Sequence, residues 1–522
     1  MSSGAIGNPV RGLPTTAEDL PWHVALGVAL VIPWVSPVTW GPIAGAIQSL
    51  LCAAALAVVL LWRARAGGRS DHTLTEVVAH AWLMAAAISA LAGLLQYFGA
   101  SDTLGAAWVD HAPAGVAYAN LRQRNQFASL TSMGLVALVY LATQQKDMEQ
   151  TWHRRVALGV LLLLLAAGNA ASASRTGALQ WLLLAALCLL WQRNGTQGAG
   201  RWGLAACALY LLCSLVLPWL LQDALHISSA NALARIQEPS GCESRLVLWR
   251  NVLELVAQKP WLGWGWGTLK LAHFMHPFVT PRFCAILDNA HNLPLHLAYC
   301  FGIPAALAVL LALGLLLWRA QPWRETLGAR QLAWGVLAVL ALHSLLEYPL
   351  WYGPFQLALG LALWLLFRHA RASAPPTSAA PESGAPASVP RAPVQAGWNR
   401  RLVLAALALC VLTLTVAWDY RRVAQLYLNP EQRAPEYRSN TLEKAGATWW
   451  FQDEFHFAAL TTTSLGPENA EQVYALALQT LPFSPEPAVL QPLLSSAAMG
   501  HHDNALTQDI AARAHAVYPK DF

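Results

Sequence analysis

The feature that most constrains this chain is its succession of long, nearly uncharged apolar runs. They lie roughly at 22–40, 43–62, 76–98, 127–144, 156–171, 175–192, 202–221, 292–318, 331–346, 353–367 and 402–418. About 20 such residues match the hydrocarbon thickness of a bilayer. In lipid every backbone N–H and C=O must be satisfied within the protein, which leaves helices or closed barrels. Barrels show short alternating segments, whereas these runs are continuous. The chain therefore reads as an all-α polytopic membrane protein with about eleven transmembrane helices. Only 12% of its residues are charged, roughly half the fraction usual in soluble domains. The net charge of +5 is small and sits mostly on loop arginines, so no nucleic-acid partner is expected. Residues 1–20 lack a basic segment followed by an apolar core and contain Glu18 and Asp19. They do not read as a signal peptide, and targeting is expected to rest on the first membrane helix.

Basic residues orient the runs, because cytoplasmic loops retain Lys and Arg. With a cytoplasmic N-terminus, the inside loops carry Arg63, Arg65 and Arg69; Lys146, Arg154 and Arg155; Arg193 and Arg201; Arg319, Arg324 and Arg330; and Arg368, Arg371, Arg391, Arg400 and Arg401. The outside connections at 41–42 and 347–352 carry none. The organisation that follows is a cytoplasmic segment 1–21 and a transmembrane catalytic domain 22–370 with a large periplasmic loop 222–290. A Pro/Ala-rich cytoplasmic linker 371–400, a last transmembrane helix 401–419 and a periplasmic helical domain 420–522 complete it. In that last domain, the aromatic and alanine spacing (Trp449, Trp450, Phe455, Phe457, Ala458, Leu460; Tyr474, Ala475, Leu478) suggests short antiparallel helices of a helical-hairpin, TPR-like kind.

Positive charge on the outside needs a reason. Arg122 and Arg124 lie in one outside loop and Arg175 at the edge of another, against the insertion bias, which suggests an anionic ligand. The 222–290 loop carries more, but long loops translocate whatever their charge. Within it, 244–259 reads as an amphipathic helix with Leu246, Trp249, Leu253 and Val256 on one face, stopped by Pro260. The following Trp261-Leu262-Gly263-Trp264-Gly265-Trp266-Gly267 suits either lipid-headgroup anchoring or stacking on sugar rings. Cys242 and Cys284 flank this region on the oxidising side and are candidates for a disulfide.

Five polar clusters from separate segments share that outside face: 120–126, 172–177, 243–245, 288–292 and 347–352. Chance would scatter them over both faces. Arginine forks match phosphate oxygens, and histidine takes a proton from a hydroxyl near neutral pH. That combination suits transfer from a lipid diphosphate to an alcohol. No Asp-x-Asp pair and no Cys/His metal spacing is present, so no essential metal and no cofactor are expected. His296, five residues past His291 and so about half a turn away around a helix, reads as structural.

These residues resemble a family. His291-Asn292, nine residues, then Gly302 is similar to the His-(Asn/Ser/Gln)-x9-Gly signature of the O-antigen ligase and polymerase superfamily, with Ala305 where ligases prefer Gly, Thr or Tyr. Together with Asn120-Leu121-Arg122-Gln123-Arg124-Asn125-Gln126, Ser174-Arg175-Thr176-Gly177, Asp288-Asn289-Ala290 and Glu347-Tyr348-Pro349, it resembles the bacterial protein O-oligosaccharyltransferases of the PglL type. The resemblance implies the GT-C-like bundle of lipid-dependent glycosyltransferases in the bacterial inner membrane. It implies an undecaprenyl-diphosphate-linked glycan as donor and Ser or Thr of an exported protein, such as a pilin, as acceptor. The glycan would move en bloc with inversion. The resemblance puts catalytic roles on His291, Tyr348 and Gln126 (or Gln123) and diphosphate binding on Arg175 and Arg245. Arg122 and Arg124 are added as donor contacts, and Asn292, Glu347, Asn125 and Gln123 as acceptor contacts or support. Two other readings compete. A ligase or polymerase would use the same machinery on lipid A core or another glycan, and deleting 420–522 would separate it if only protein transfer is lost. A lipid-linked glycan transporter would place polar residues along the spans near the midplane, where these runs are mostly Leu, Ala and Val.

Overall fold

A computed structural model describes residues 19–39, 41–66, 71–105, 107–144, 152–227, 241–372, 399–502 and 504–522. The N-terminal segment and most of the Pro/Ala-rich linker expected at 371–400 fall outside these. Among the described residues the fold is helical, with no strand, and it is that of a multi-pass membrane protein.

The first part of the bundle runs through α1 (Leu20–Val35), α2 (Ala46–Ala66), α3 (Asp71–Tyr97), a single turn α4 (Ser101–Leu104), α5 (Arg124–Thr143), α6 (Trp152–Ala171), α7 (Arg175–Arg193) and α8 (Ala199–Leu225). The large loop contributes α9 (Arg245–Gln258), α10 (Leu269–Met275) and α11 (Leu293–Phe301). Then come α12 (Ile303–Ala320), α13 (Gly328–Leu346), α14 (Gly353–Ala372) and α15 (Arg400–Ala424). Eight of these, α2, α3, α5, α6, α8, α12, α13 and α15, have the length and apolarity to cross a membrane. The apolar helices α1 and α14 are shorter, and α7 carries Arg175, Gln180 and Gln192 along its length. Helix α1 stops at Val35 rather than near 40, because Pro37 follows and disfavours helical backbone before it.

Helix α5 is the bundle's axis, buried without interruption from Gln126 to Ala142. Small residues allow the close approach, since lipid gives helices little hydrophobic reason to associate. Gly134 meets Ala86 and Leu165, and Gly335 meets Val136. Helices α12 and α15 are the opposite case. Only 6% and 11% of their spans are buried, so their leucines face lipid.

One expected span is corrected. The run 292–318 is not a single helix; it breaks at Gly302, which takes φ +85°. The break is imposed by the Trp-Gly segment. Trp264 N–H donates to Tyr299 O at 2.8 Å, Gly265 N–H to Cys300 O at 3.0 Å, and Ile303 N–H to Pro260 O at 2.8 Å. A Cβ on Gly302 would collide with the Trp261 backbone. The Trp-Gly segment is thus first a backbone clamp. Trp264 is spent structurally, stacked on Tyr299 with Lys259 over its ring at 3.9 Å, while Trp261 and Leu262 remain exposed.

Helix α9 is capped by Ser244, whose Oγ accepts from Val247 N–H. Its buried face is Leu248, Asn251, Val252, Leu255 and Val256. Leu246 and Leu253 are exposed, contrary to the expected apolar face, because the helix has two leucine rows and α11 and the 278–290 segment cover the other one.

The C-terminal part forms α16 (Thr441–Ala445), α17 (Gln452–Thr462), α18 (Ala470–Thr480), α19 (Pro487–Met499) and α20 (Ala505–Val517), short helices packed successively. This domain is not a free appendage. Phe274 of α10 is fully buried in its core beside Leu460, Val473, Leu490 and Ile510. Tyr420 at the end of α15 donates to Ile43 O at 3.1 Å and accepts from Ile43 N–H, tying it to the α1–α2 connection.

Candidate active site

Glu347 ends α13. Its backbone turns extended (φ −159°, ψ −163°), and Pro349 two residues on forbids a further helical turn. The carboxylate stands buried where four segments meet, 6% exposed. Arg245, the first residue of α9, pairs with Oε1 through Nη2. Asn125 Nδ2, in the first turn of α5, donates to the same oxygen at 3.1 Å. His291 Nδ1 lies 2.8 Å from Oε2. That last contact is bent, since no hydrogen bond of regular angle reaches Oε2. Burial would raise the Glu347 pKa, but His291 and Arg245, both set against the carboxylate, overcome it and hold the group down to about 2. Glu347 is an anion throughout the neutral range.

The sequence around His291 builds its posture. Its φ is +47°, left-handed for a residue with a Cβ, a conformation that costs on the order of 1 kcal/mol and persists only when its surroundings impose it. Wholly buried Asn289 imposes it, accepting the His291 N–H through Oδ1 at 3.0 Å and donating to Asp288 at 2.7 Å. Asn292 then caps α11, accepting from Leu295 N–H at 3.0 Å. The His291 ring meets Tyr348 edge-to-face at 4.7 Å. Tyr348 stacks on Tyr352 at 5.7 Å, and Tyr352 has Gln126 as a polar neighbour. Burial, then Tyr352, pushes the Tyr348 hydroxyl well up, so it stays protonated as a donor.

Ser174 brings in the fifth cluster. Its Oγ donates to Asn125 Oδ1 at 2.7 Å and accepts from Gly177 N–H at 3.0 Å, capping α7. Arg175 follows as the first residue of α7 and is exposed, and Arg124 is the first residue of α5. The N-termini of α5, α7, α9 and α11 therefore converge beside three arginines and favour an anion.

Not every predicted site residue joins. Arg122 pairs with Asp110 at 2.7 Å and donates to Pro37 O, a loop tie rather than a contact to the cluster. Gln123 precedes α5 without a side-chain cap, and Asn292 is occupied in capping α11. Cys242 and Cys284 are joined as a disulfide, Cα atoms 5.6 Å apart. His296 is buried, 5.3 Å from both the Trp266 and the Trp351 rings.

Sequence reasoning, which read the spans as mostly Leu, Ala and Val, missed a buried polar network below Glu347. His343, one turn before Glu347 and wholly buried, has Nδ1 2.9 Å from Ser129 Oγ. Gln180 donates to Ser129 at 2.7 Å and accepts from Ser132 at 2.9 Å. Asn169 donates to Thr131 at 2.8 Å. The signal was present: a histidine, an asparagine and a glutamine inside runs of Leu, Ala and Val, where an ionisable or amide side chain is costly unless paired.

Comparison with known proteins follows the same residues. Residues 159–310 match the family described as O-antigen ligase, which takes in Arg175, Arg245 and His291. Residues 117–142 match the protein glycosylation ligase family, which takes in Asn125 and Gln126. Residues 331–522 match the C-terminal region of a virulence-factor membrane-bound polymerase family, which takes in Glu347, Tyr348 and the helical domain. A protein named general O-oligosaccharyltransferase, from Acinetobacter baylyi, is 25% identical over 259 residues, 48% of this chain and 43% of that protein. The chain thus aligns with less than half of that relative's length. Each match carries one part of a cluster that the fold closes into a single site, and over these stretches the chain is similar to the O-antigen ligases and the protein glycosylation ligases.

Proposed function

We propose that this protein is an inverting glycosyltransferase that moves a preassembled oligosaccharide from undecaprenyl diphosphate to Ser or Thr hydroxyls of an exported protein, such as a pilin. The site faces the periplasm of a bacterial inner membrane, and the N-terminus is cytoplasmic. The observation that carries this reading is the convergence of His291, Arg245 and Asn125 on the buried carboxylate of Glu347. With Nδ1 turned to Glu347, Nε2 of His291 is the nitrogen left to take a proton. The acceptor oxygen bonds to the anomeric carbon, and the bond from that carbon to the diphosphate breaks. The electron pair leaves with the diphosphate, and the hydroxyl proton passes to His291. Arg175, Arg245 and Arg124, with the helix N-termini behind them, neutralise the leaving group. Arg245 spends one nitrogen on Glu347 and keeps further N–H donors for phosphate. Tyr348 and Gln126 position the sugar or the acceptor. This division of labour asks for no metal, which a chelator titration of the purified enzyme checks.

The test is a transfer assay in a bacterium making one defined lipid-linked glycan and an exported pilin-like acceptor. Wild type and His291→Ala are compared at equal membrane abundance. Glycan mass on the intact acceptor, lost in the variant, is expected. The second reading, a ligase or polymerase, draws on the O-antigen ligase match across the arginines and histidine. Glycan appearing on lipid A core or another glycan while the acceptor stays unmodified would establish it instead.

A further inference from the structure

A cavity of about 960 Å³ lies between α2, α15 and the C-terminal domain and reaches the site at Asp288, Tyr348 and Trp351. Its inner end is apolar, closed by Leu50 and Ala53 of α2 against Leu409, Leu412 and Val416 of α15. Its outer end belongs to the C-terminal domain, with Phe451, Phe457, Phe483, Glu454 and Glu486. Three carboxylates, Asp288, Glu454 and Glu486, line it against one ammonium, Lys270, whose Nζ is engaged 4.8 Å over the Phe483 ring. Arg124, Arg175 and Arg245 are not among its walls.

That charge balance decides the occupant. A diphosphate would meet like charge here and finds arginines and helix N-termini elsewhere. The volume is that of a pocket taking several side chains. Aromatic walls and an acidic mouth suit an extended polypeptide carrying apolar residues and a cation.

We infer that this cavity holds the acceptor polypeptide, presenting its Ser or Thr at Tyr348, a neighbouring Lys or Arg to Glu454 and Glu486, and apolar side chains to the α2–α15 cleft. The inference rests on the protein-acceptor reading above and adds to it a preference for cationic flanking residues set by the C-terminal domain.

The experiment uses the full-length protein in lipid nanodiscs with a lipid-linked donor. Two synthetic 20-residue peptides share one serine in an Ala/Pro background and differ only in lysine or glutamate beside it. The lysine peptide is expected to be favoured about tenfold in kcat/KM, the scale of a few partly screened charge pairs. Glu454→Gln/Glu486→Gln should bring the ratio toward one, and Glu454→Lys should invert it. Because a ratio is read, partial loss of folded protein does not affect it, and the wild-type peptide pair tests the preference without any variant. A wild-type ratio within twofold of one overturns the inference. So does an active double variant that keeps the wild-type ratio, or one that changes the KM for the donor alone, which would make this the donor's cavity. Absence of transfer to either peptide or to any protein, with glycan going to a lipid or glycan acceptor, would instead sink the protein-acceptor reading itself.

Discussion

Glu347→Gln keeps the size of the side chain and removes its charge, so it isolates what the carboxylate does for His291 and Arg245. The ordinary value for such a carboxyl is 4.5, and here it is held down to about 2 against burial. At 1.36 kcal/mol per pH unit that gap is about 3 kcal/mol in favour of the anion beside Arg245 and His291. The side chains of Arg245 and His291 are 25% and 24% exposed, so solvent screens part of it, and about 2 kcal/mol is expected to reach the transition state. That is a loss of roughly 30-fold in kcat/KM. The assay is transfer from purified lipid-linked donor to an acceptor protein in nanodiscs, with the folded fraction matched by thermal unfolding. A variant within threefold of wild type would refute the reasoning, because His291 and Arg245 would then be held by something else. The same carboxylate gives a pH signature. Its folded pKa is depressed, so its contribution to stability is whole above about pH 4.5 and is lost as pH falls from there toward 2. The difference in Tm between wild type and Glu347→Gln should shrink across that window.

Phe274→Ala, which empties a fully buried site between α10 and the C-terminal domain, is expected to cost about 3–5 kcal/mol and to expose the domain to limited proteolysis. For the same reason deletion of 420–522 should impair transfer to every acceptor, not to proteins alone, since it uncovers α10. His273 is held down to about 3 by burial, then by Arg282 and His276. Its neutral ring accepts from Arg282 at 3.0 Å, so stability should fall as pH drops below about 6.5, and His273→Gln should flatten that limb of a Tm–pH curve. Gly302→Val puts a side chain where the Trp261 backbone passes, in a left-handed conformation, and should lower Tm and release His291 from its place, read as lost transfer at normal donor binding. Cys242→Ser should lower stability by up to roughly 4 kcal/mol, from a closed loop with a separation of 42 residues, and reductant should reproduce the shift in wild type only.

The bundle was legible because lipid admits so few backbones. Apolar runs near 20 residues can hardly be anything but helices, and the arginine count gave the same face for every polar cluster. His291, Arg245 and Glu347 could be grouped by face from the sequence, but not ranked. Glu347 stood only as support, yet it is the point at which the other residues meet, because a single carboxylate carries no spacing signature. Arg122 looked like Arg124 in sequence and differs in structure, since an αL turn aims it at Asp110. The break at Gly302 was hidden for a different reason. It is imposed by Pro260–Gly265, some forty residues upstream, through backbone bonds that leave no mark on the hydropathy of 292–318. The network of His343, Ser129 and Gln180 was passed over because its members come from three different helices, α13, α5 and α7.

An inverting displacement needs its nucleophile and its leaving group on opposite sides of one carbon. The chain supplies two surfaces of opposite charge that meet at a narrow seam. Arg124, Arg175 and Arg245 open α5, α7 and α9 on the first, and Asp288, Glu454 and Glu486 line the second. Asp288, joined to His291 through the Asn289 bonds, and Tyr348, packed against the His291 ring, belong to both. A diphosphate repelled from the acidic cavity and a cationic peptide repelled from the arginines would each find one side, and the reacting carbon would fall beside His291. Such sorting by charge needs no moving lid. It does need the C-terminal domain in place, because Glu454 and Glu486 lie in that domain and Phe274 pins it to the large loop. A site of this kind should lose acceptor selectivity before it loses donor binding as that contact is weakened. Graded substitutions of Phe274, Leu before Ala, read as peptide-charge preference against donor KM, would show the order; donor binding failing first would mean that the two sides are not built separately.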